Sequence, residues 1–291
     1  MVDAVGQWER EGSYYELADE RVFVVDRAAE RDELEPVLVL HGFPTCSYDW
    51  HGPLETLARK RRVVMPDYPG FGLSSKPDRR YSLFEQADVV AALVAELGLT
   101  ELVLVTHDLG DSVGGELLAR SLDGNLEWEV TRRVITNGSI YMELVQLSDG
   151  QQLLLSLPDE ALPEQQAPDR GAIAAALRGT LAPNASVDDT ELDALAQMVV
   201  HDGGNRLLPR TIRYIEERRR HESRWYEAIE RHNSPLTIVW GDADPIAVWP
   251  MAERLHAARP DATLVRLEGI GHYPMLEAPD AFDAALEHAL G

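Results

Sequence analysis

Apolar and polar positions are arranged along this chain in two distinct ways. Short runs of aliphatic and β-branched residues recur: "PVLVLHG" from 36, "RRVVMPDYPG" from 61, "ELVLVTHD" from 101, "RRVITNGSI" from 132, "PLTIVWGD" from 235 and "ATLVRLEGIGH" from 262. Their apolar parts are continuous rather than alternating, which suits strands buried on both faces of a parallel sheet. Between most of them the period lengthens, as in "LFEQADVVAALVAELG" (83–98), where apolar residues fall three and four apart and Gly98 supplies a stop. Strand alternating with helix predicts an α/β fold with a mostly parallel central sheet flanked by helices. Ahead of this rhythm, "SYYELAD" and "RVFVVD" read as a short antiparallel lead-in, closed by a polar turn over 28–35.

One interval breaks the pattern. From about Met142 to Asn233 no convincing buried strand occurs, only helical patterns ("GAIAAALRGTL", "DTELDALAQMVV", "PRTIRYIEERRRHESRWYEAIERH") and proline-rich joints around 158–168. A structureless stretch of that length inside a compact domain is improbable. The expectation is a core domain of residues 1–141 and 234–291 carrying a helical lid, residues 142–233, inserted after the sixth strand. The charge run "EERRRHESR" reads as a solvated face of one lid helix.

Composition narrows the partners. With 45% hydrophobic residues among 291, the chain can bury a large core. Fifty acidic residues against 27 basic ones give a net charge of -23, which repels phosphate backbones and anionic lipid. Neither nucleic acid nor a membrane is expected as a partner, and the chain is read as a monomer or homodimer. Cys46 is the single cysteine, so an intrachain disulfide or thiolate metal cluster is ruled out and a reducing, cytoplasmic setting is expected. No secretory leader and no apolar run of membrane-spanning length is seen in the sequence. No dinucleotide fingerprint or metal-ligand cluster occurs either, so no cofactor is expected.

In open α/β sheets ligands bind beyond the carboxyl ends of the strands, so residues just after each run carry most information. Four such places combine turn residues with a titratable one: "HGFP" after 40, "HDLGD" after 106, "GDADP" after 240 and "GIGHYP" after 268. In the second, Thr106, His107, Asp108, Leu109 and Gly110 have the form small, X, nucleophile, X, glycine of a strand–turn–helix elbow. By itself that pentapeptide is weak evidence, because an aspartate after a strand is more often a helix N-cap. The chain order supplies the distinction: a nucleophile followed by an acid after a later strand and then a histidine, here Asp244 and His272. Asp242 competes for the acid role, and the spacing from Gly241 favours Asp244. His41 and His107 read as turn residues with local hydrogen bonds, and Asp111 as a helix-opening carboxylate able to perturb Asp108.

With these motifs in view, the chain resembles the α/β-hydrolases, in the branch of epoxide hydrolases and haloalkane dehalogenases. The likeness rests on "HGFPT", "PDYPGFGLSSKP" (66–77), the elbow, "GDADP" and "GHYPMLEAP", and the wording "HGFPTCSYDW", "FEQA" and "THDLGDSV" looks especially like the mesoderm-specific-transcript-like hydrolases. The resemblance implies a covalent cycle. Asp108 attacks an electrophilic carbon, and His272, held by Asp244, activates water to hydrolyse the alkyl ester. It also implies that the backbone N–H groups of Phe43 and Leu109 form the oxyanion hole and that Pro44 is cis.

Leu109 and Phe43 occupy the positions where haloalkane dehalogenases carry side-chain halide donors, and neither can donate, which turns the reading toward a small apolar epoxide and water as substrates. Epoxide hydrolases resemble one another in using two lid tyrosines. Tyr226, in "SRWYEAI", and Tyr141 are the expected pair, with Tyr214 in reserve. Two alternatives stay open. One is a dehalogenase of haloalkanes or small haloacids using Trp225 or nearby arginines; the other is a non-catalytic member that binds a ligand in the lidded pocket.

Overall fold

The computed structural model describes residues 3–31 and 34–291, so part of the predicted turn at 28–35 lies outside the described residues. The chain opens with helix α1 (Ala4–Glu9), which hydrophobic patterning did not announce because it is a single capped turn and a half. Then follow β1 (Ser13–Leu17), β2 (Glu20–Arg27), β3 (Val37–Leu40), α2 (His51–Leu57), β4 (Val63–Pro66) and α3 (Leu83–Glu96). The centre of the fold continues with β5 (Glu101–His107), α4 (Leu109–Leu122) and β6 (Glu129–Thr136).

Between β6 and β7 the described elements are helical: α5 (Asp149–Ser156), α6 (Arg170–Arg178), α7 (Asp189–Val200), α8 (Leu208–Thr211) and α9 (Tyr214–Arg231), joined by short 3-10 turns. The chain closes with β7 (Leu236–Gly241), α10 (Trp249–Ala258), β8 (Thr263–Leu267), α11 (Pro274–Glu277) and α12 (Pro279–Leu290).

The strands form one eight-stranded sheet in the order β1-β2-β4-β3-β5-β6-β7-β8. The β1–β2 and β2–β4 pairs are antiparallel and every later pair is parallel. The order doubles back around β3, so its carboxyl end and that of β5 lie side by side, as Leu40 pairs with Thr106. Continuous apolar runs became strands sealed on both faces: β3, β4 and β7 are buried at every position. Helix α3 ends as its pattern predicts, with Gly98 just beyond at φ +64. The solvated reading of "EERRRHESR" holds only in part, because Arg218 within it is 3% exposed. Among the described residues no helix is long and apolar enough to cross a membrane.

Candidate active site

Asp108 stands between β5 and α4 at φ 48, ψ -109, a conformation that side chains rarely adopt. It occupies the helix-cap position without capping: its carboxylate makes no bond to the helix backbone. Instead Oδ2 accepts the backbone N–H of Phe43 at 2.9 Å, and Oδ1 is buried without a protein partner. A strained backbone that withholds its side chain from the neighbouring helix marks a functional position better than a structural cap. Gly110 makes this turn possible, since a Cβ there would lie 2.3 Å from the Leu40 carbonyl oxygen. The Phe43–Pro44 bond is cis, as the family likeness implied. Leu109 is the first residue of α4, where helix N–H groups lack intrahelical partners.

The predicted acid and histidine are together. His272 Nδ1 lies 2.8 Å from Asp244 Oδ2, and the backbone N–H groups of Ile246 and Ala247 donate to Asp244 Oδ1 at 2.7 and 3.0 Å. The competing Asp242 is elsewhere, bound to Arg266 and to the Gly269 N–H.

A residue not anticipated completes this corner. Asn137, at φ +45 just past β6, donates from Nδ2 to Asp244 Oδ2 at 2.8 Å and accepts the Gly241 N–H on Oδ1 at 3.0 Å. It binds the ends of β6 and β7 to the acid. Its position directly after a buried strand was the available signal.

Burial and charge pull on these groups in opposite directions. Burial alone would push the His272 imidazole down, yet the carboxylates of Asp244 and Asp108 outweigh it and raise its pKa to about 9. Asp111 is pushed up to about 8, by burial first and by the Asp108 charge, against the opposing hydroxyl of Thr106, which donates to Asp111 Oδ1. Thr106, the small residue that opens the elbow, thus also serves as a partner for a buried carboxyl.

His41 and His107 are buried and pushed down to about 4, so both are neutral near pH 7. His41 bonds locally to the Gly42 carbonyl and the Tyr68 N–H, as expected. His107 reaches further: its Nε2 lies 2.8 Å from the His272 carbonyl oxygen, tying the end of β5 to the histidine loop.

The expected tyrosines are not the ones beside the nucleophile. Tyr141 is fully buried and donates its hydroxyl to Glu230 at 2.7 Å, while Tyr226 is half-buried with its ring 5.7 Å from that of Tyr141. Arg254 of α10 lies over Tyr141, so the Tyr141 ring and hydroxyl are both engaged by neighbouring side chains. Tyr214, the reserve, faces the site. Its ring is 5.5 Å from that of Phe43, burial and then the Asp108 charge raise its pKa, and it shares a hydrogen bond with the Gln151 side chain. Gln151 carried no signal in the sequence, because only the packing of α5 over the sheet brings it here.

The alternative donors are occupied. The Trp225 indole N–H donates to Glu116 at 2.9 Å, and Arg218 donates to the Ser112 hydroxyl at 2.7 Å. A cavity of about 90 Å³ runs beside the site, walled by α5, α6 and α8 with Phe43, His272 and Tyr273 at its floor. Among the described residues no cluster of three or more metal-ligating side chains is present.

A family model described as the alpha/beta hydrolase fold matches residues 35–279. The chain is 37% identical over 285 residues to a protein named "Putative hydrolase LipZ" of Mycobacterium tuberculosis, covering 97% of each. It is 33% identical to the mesoderm-specific transcript protein of Mus musculus, covering 96% of this chain and 85% of that one. Among solved structures, a haloalkane dehalogenase DbeA loop variant from Bradyrhizobium elkanii superposes with a TM-score of 0.76, at 19% identity and 95% coverage of both, a likeness of fold alone. Family model, full-length relatives and sheet topology agree, and the chain belongs, as a hydrolase, to the α/β-hydrolase fold family.

Proposed function

We propose that this hydrolase opens epoxides to vicinal diols through an alkyl ester on Asp108. The observation that carries the reading is the Asp108 carboxyl itself: strained at the elbow, anchored through Oδ2 by the Phe43 N–H, with Oδ1 buried and unpaired. A carboxylate needs no base to attack an sp³ carbon. In the proposed cycle Oδ1 attacks an oxirane carbon, the carbon–oxygen bond breaks, and the departing oxygen takes the Tyr214 proton while Gln151 holds the tyrosine oxygen. His272 then removes a proton from water, which adds to the Asp108 carboxyl carbon. The Phe43 and Leu109 N–H groups receive the oxyanion. Collapse expels the ester oxygen as an alkoxide, which takes the proton of the newly formed Asp108 carboxylic acid and leaves as the diol, and a proton from His272 returns to Tyr214 through solvent. Tyr214 and Gln151 replace Tyr141 and Tyr226 in this reading because only the former lie on the Phe43 side.

A single turnover in heavy-oxygen water followed by mass spectrometry of the Asp108 peptide tests the cycle. Label is expected in the Asp108 carboxyl after one turnover and in the diol after the second. Unlabelled Asp108 after many turnovers would refute the ester. Halide release from a haloalkane panel without any diol formation would instead assign the same carboxylate to dehalogenation.

A further inference from the structure

The lining of the cavity beside His272 passes from buried residues to exposed ones. At the inner end are His272, Phe43 and the buried Gln151. The middle is formed by Ile173 and Leu177 of α6 and Leu208 of α8, all buried. At the outer end stand Gly150 of α5 and Ala176 of α6, both exposed. One turn along α5 from Gly150, Leu153, one of two exposed large hydrophobic residues among those described, is 61% exposed. No lysine, arginine, aspartate or glutamate lines the cavity, and its one cation, His272 at the inner end, is already paired with Asp244, so a charged group drawn into it would lose its hydration without a free counter-ion.

We propose that the gap between Gly150 and Ala176 is the substrate entrance, and that the substrate is uncharged and carries a linear aliphatic tail along the Ile173–Leu177–Leu208 wall. This inference rests on the proposed epoxide chemistry for the identity of the reacting group only. The tail binds by removal of apolar surface from water, so each methylene seated on that wall raises apparent affinity about fourfold. Once the tail passes Gly150 and Ala176 it returns to solvent, and further methylenes add nothing. An anionic substrate such as a haloacid finds no free partner here, since His272 is already paired with Asp244, and the buried Arg218 is bound to Ser112 and lies outside this cavity.

Gly150 offers a clean handle. A Cβ built there meets nothing nearer than the Ser148 hydroxyl at 3.8 Å, so a large side chain fits on α5 and projects across the mouth. The test uses a series of 1,2-epoxyalkanes from propylene oxide to dodecene oxide with wild type, Gly150→Phe and Ala176→Phe. Wild-type kcat/KM is expected to rise about fourfold per methylene and then level off. Gly150→Phe and Ala176→Phe should each cut kcat/KM for the longest member at least tenfold more than for the shortest. A flat wild-type series, or equal loss for short and long members in both variants, overturns the inference while leaving the epoxide reading standing. If no epoxide is turned over, that reading falls, and 1-alkanols replace the substrates. A rise in Tm that grows with chain length in wild type and is blunted in Gly150→Phe then upholds the channel, and its absence overturns it.

Discussion

Replacing Asp111 by Asn tests the electrostatic account of the site through stability rather than turnover. Asp111 has its pKa raised from 3.8 to about 8, chiefly by burial and by Asp108. In the unfolded chain it loses its proton near pH 4, whereas in the fold it keeps the proton to about pH 8. Native protein therefore binds more protons than unfolded protein across that window, and stability falls as pH rises, at about 1.4 kcal/mol per unit.

Asparagine keeps an oxygen to accept the Thr106 hydroxyl and does not titrate. The groups facing Asp111 are Asp108, Arg218, His272 and Tyr68, with Glu222 on the small cavity it shares with Arg218. All are common to both proteins, so they largely cancel in the difference. At pH 7, some three units above the unfolded value, the variant should gain at most about 4 kcal/mol over wild type relative to pH 4. Urea unfolding of both proteins at pH 4.5, 5.5, 6.5 and 7.5 measures the gap. Parallel pH profiles would refute the argument, because they would mean that Asp111 is ionised in the fold as readily as outside it.

Other substitutions separate the residues around the nucleophile. Tyr214→Phe should lower kcat/KM for epoxides at least tenfold, whereas Tyr226→Phe should change it less than threefold; steady-state kinetics on one substrate ranks them. Asn137→Ala removes a donor from Asp244 and leaves the Gly241 N–H without an acceptor, at a residue with positive φ. It should cost about 2 kcal/mol in chemical denaturation and lower kcat more than it raises KM. Gly110→Ala puts a methyl group 2.3 Å from the Leu40 oxygen, and a fall in Tm together with lost activity is expected.

How far the sequence disclosed these residues depended on whether their roles are local. The β-strands were readable because burial on both faces leaves continuous apolar runs, and the elbow because a tight turn demands small residues within five positions. Asp244 could be told from Asp242 by its spacing within one loop. The tyrosines could not be told apart by motif wording, yet helix geometry would have helped. At about 100° per residue, Tyr226 lies about 120° around α9 from Tyr214, while Arg218 lies within about 40° and Trp225 within about 20°. Those three are buried and Tyr226 is not. A break at His221 (φ -119, ψ 15) further loosens the register between the two tyrosines. Gln151 and Asn137 join the site only through packing between distant segments, which periodicity does not encode.

The charges around His272 also order the steps of the proposed cycle. With its pKa at about 9, the histidine is protonated at neutral pH while Asp108 is a free carboxylate, and a protonated imidazole cannot take a proton from water. Esterification neutralises Asp108 and deletes one of the carboxylate charges that hold this proton in place. The fall in pKa that follows is opposed only by Asp244 and the more distant Glu277, while burial continues to favour the neutral ring. Water activation is thereby deferred until an ester exists to be hydrolysed, and the resting cation and anion stabilise each other in the interval. Converting Asp108 to Asn mimics the ester's neutrality, so the His272 resonance followed by NMR should titrate at lower pH in Asp108→Asn than in wild type. An unchanged or higher value would mean that Asp108 does not govern the base, and the ordering would then need another cause.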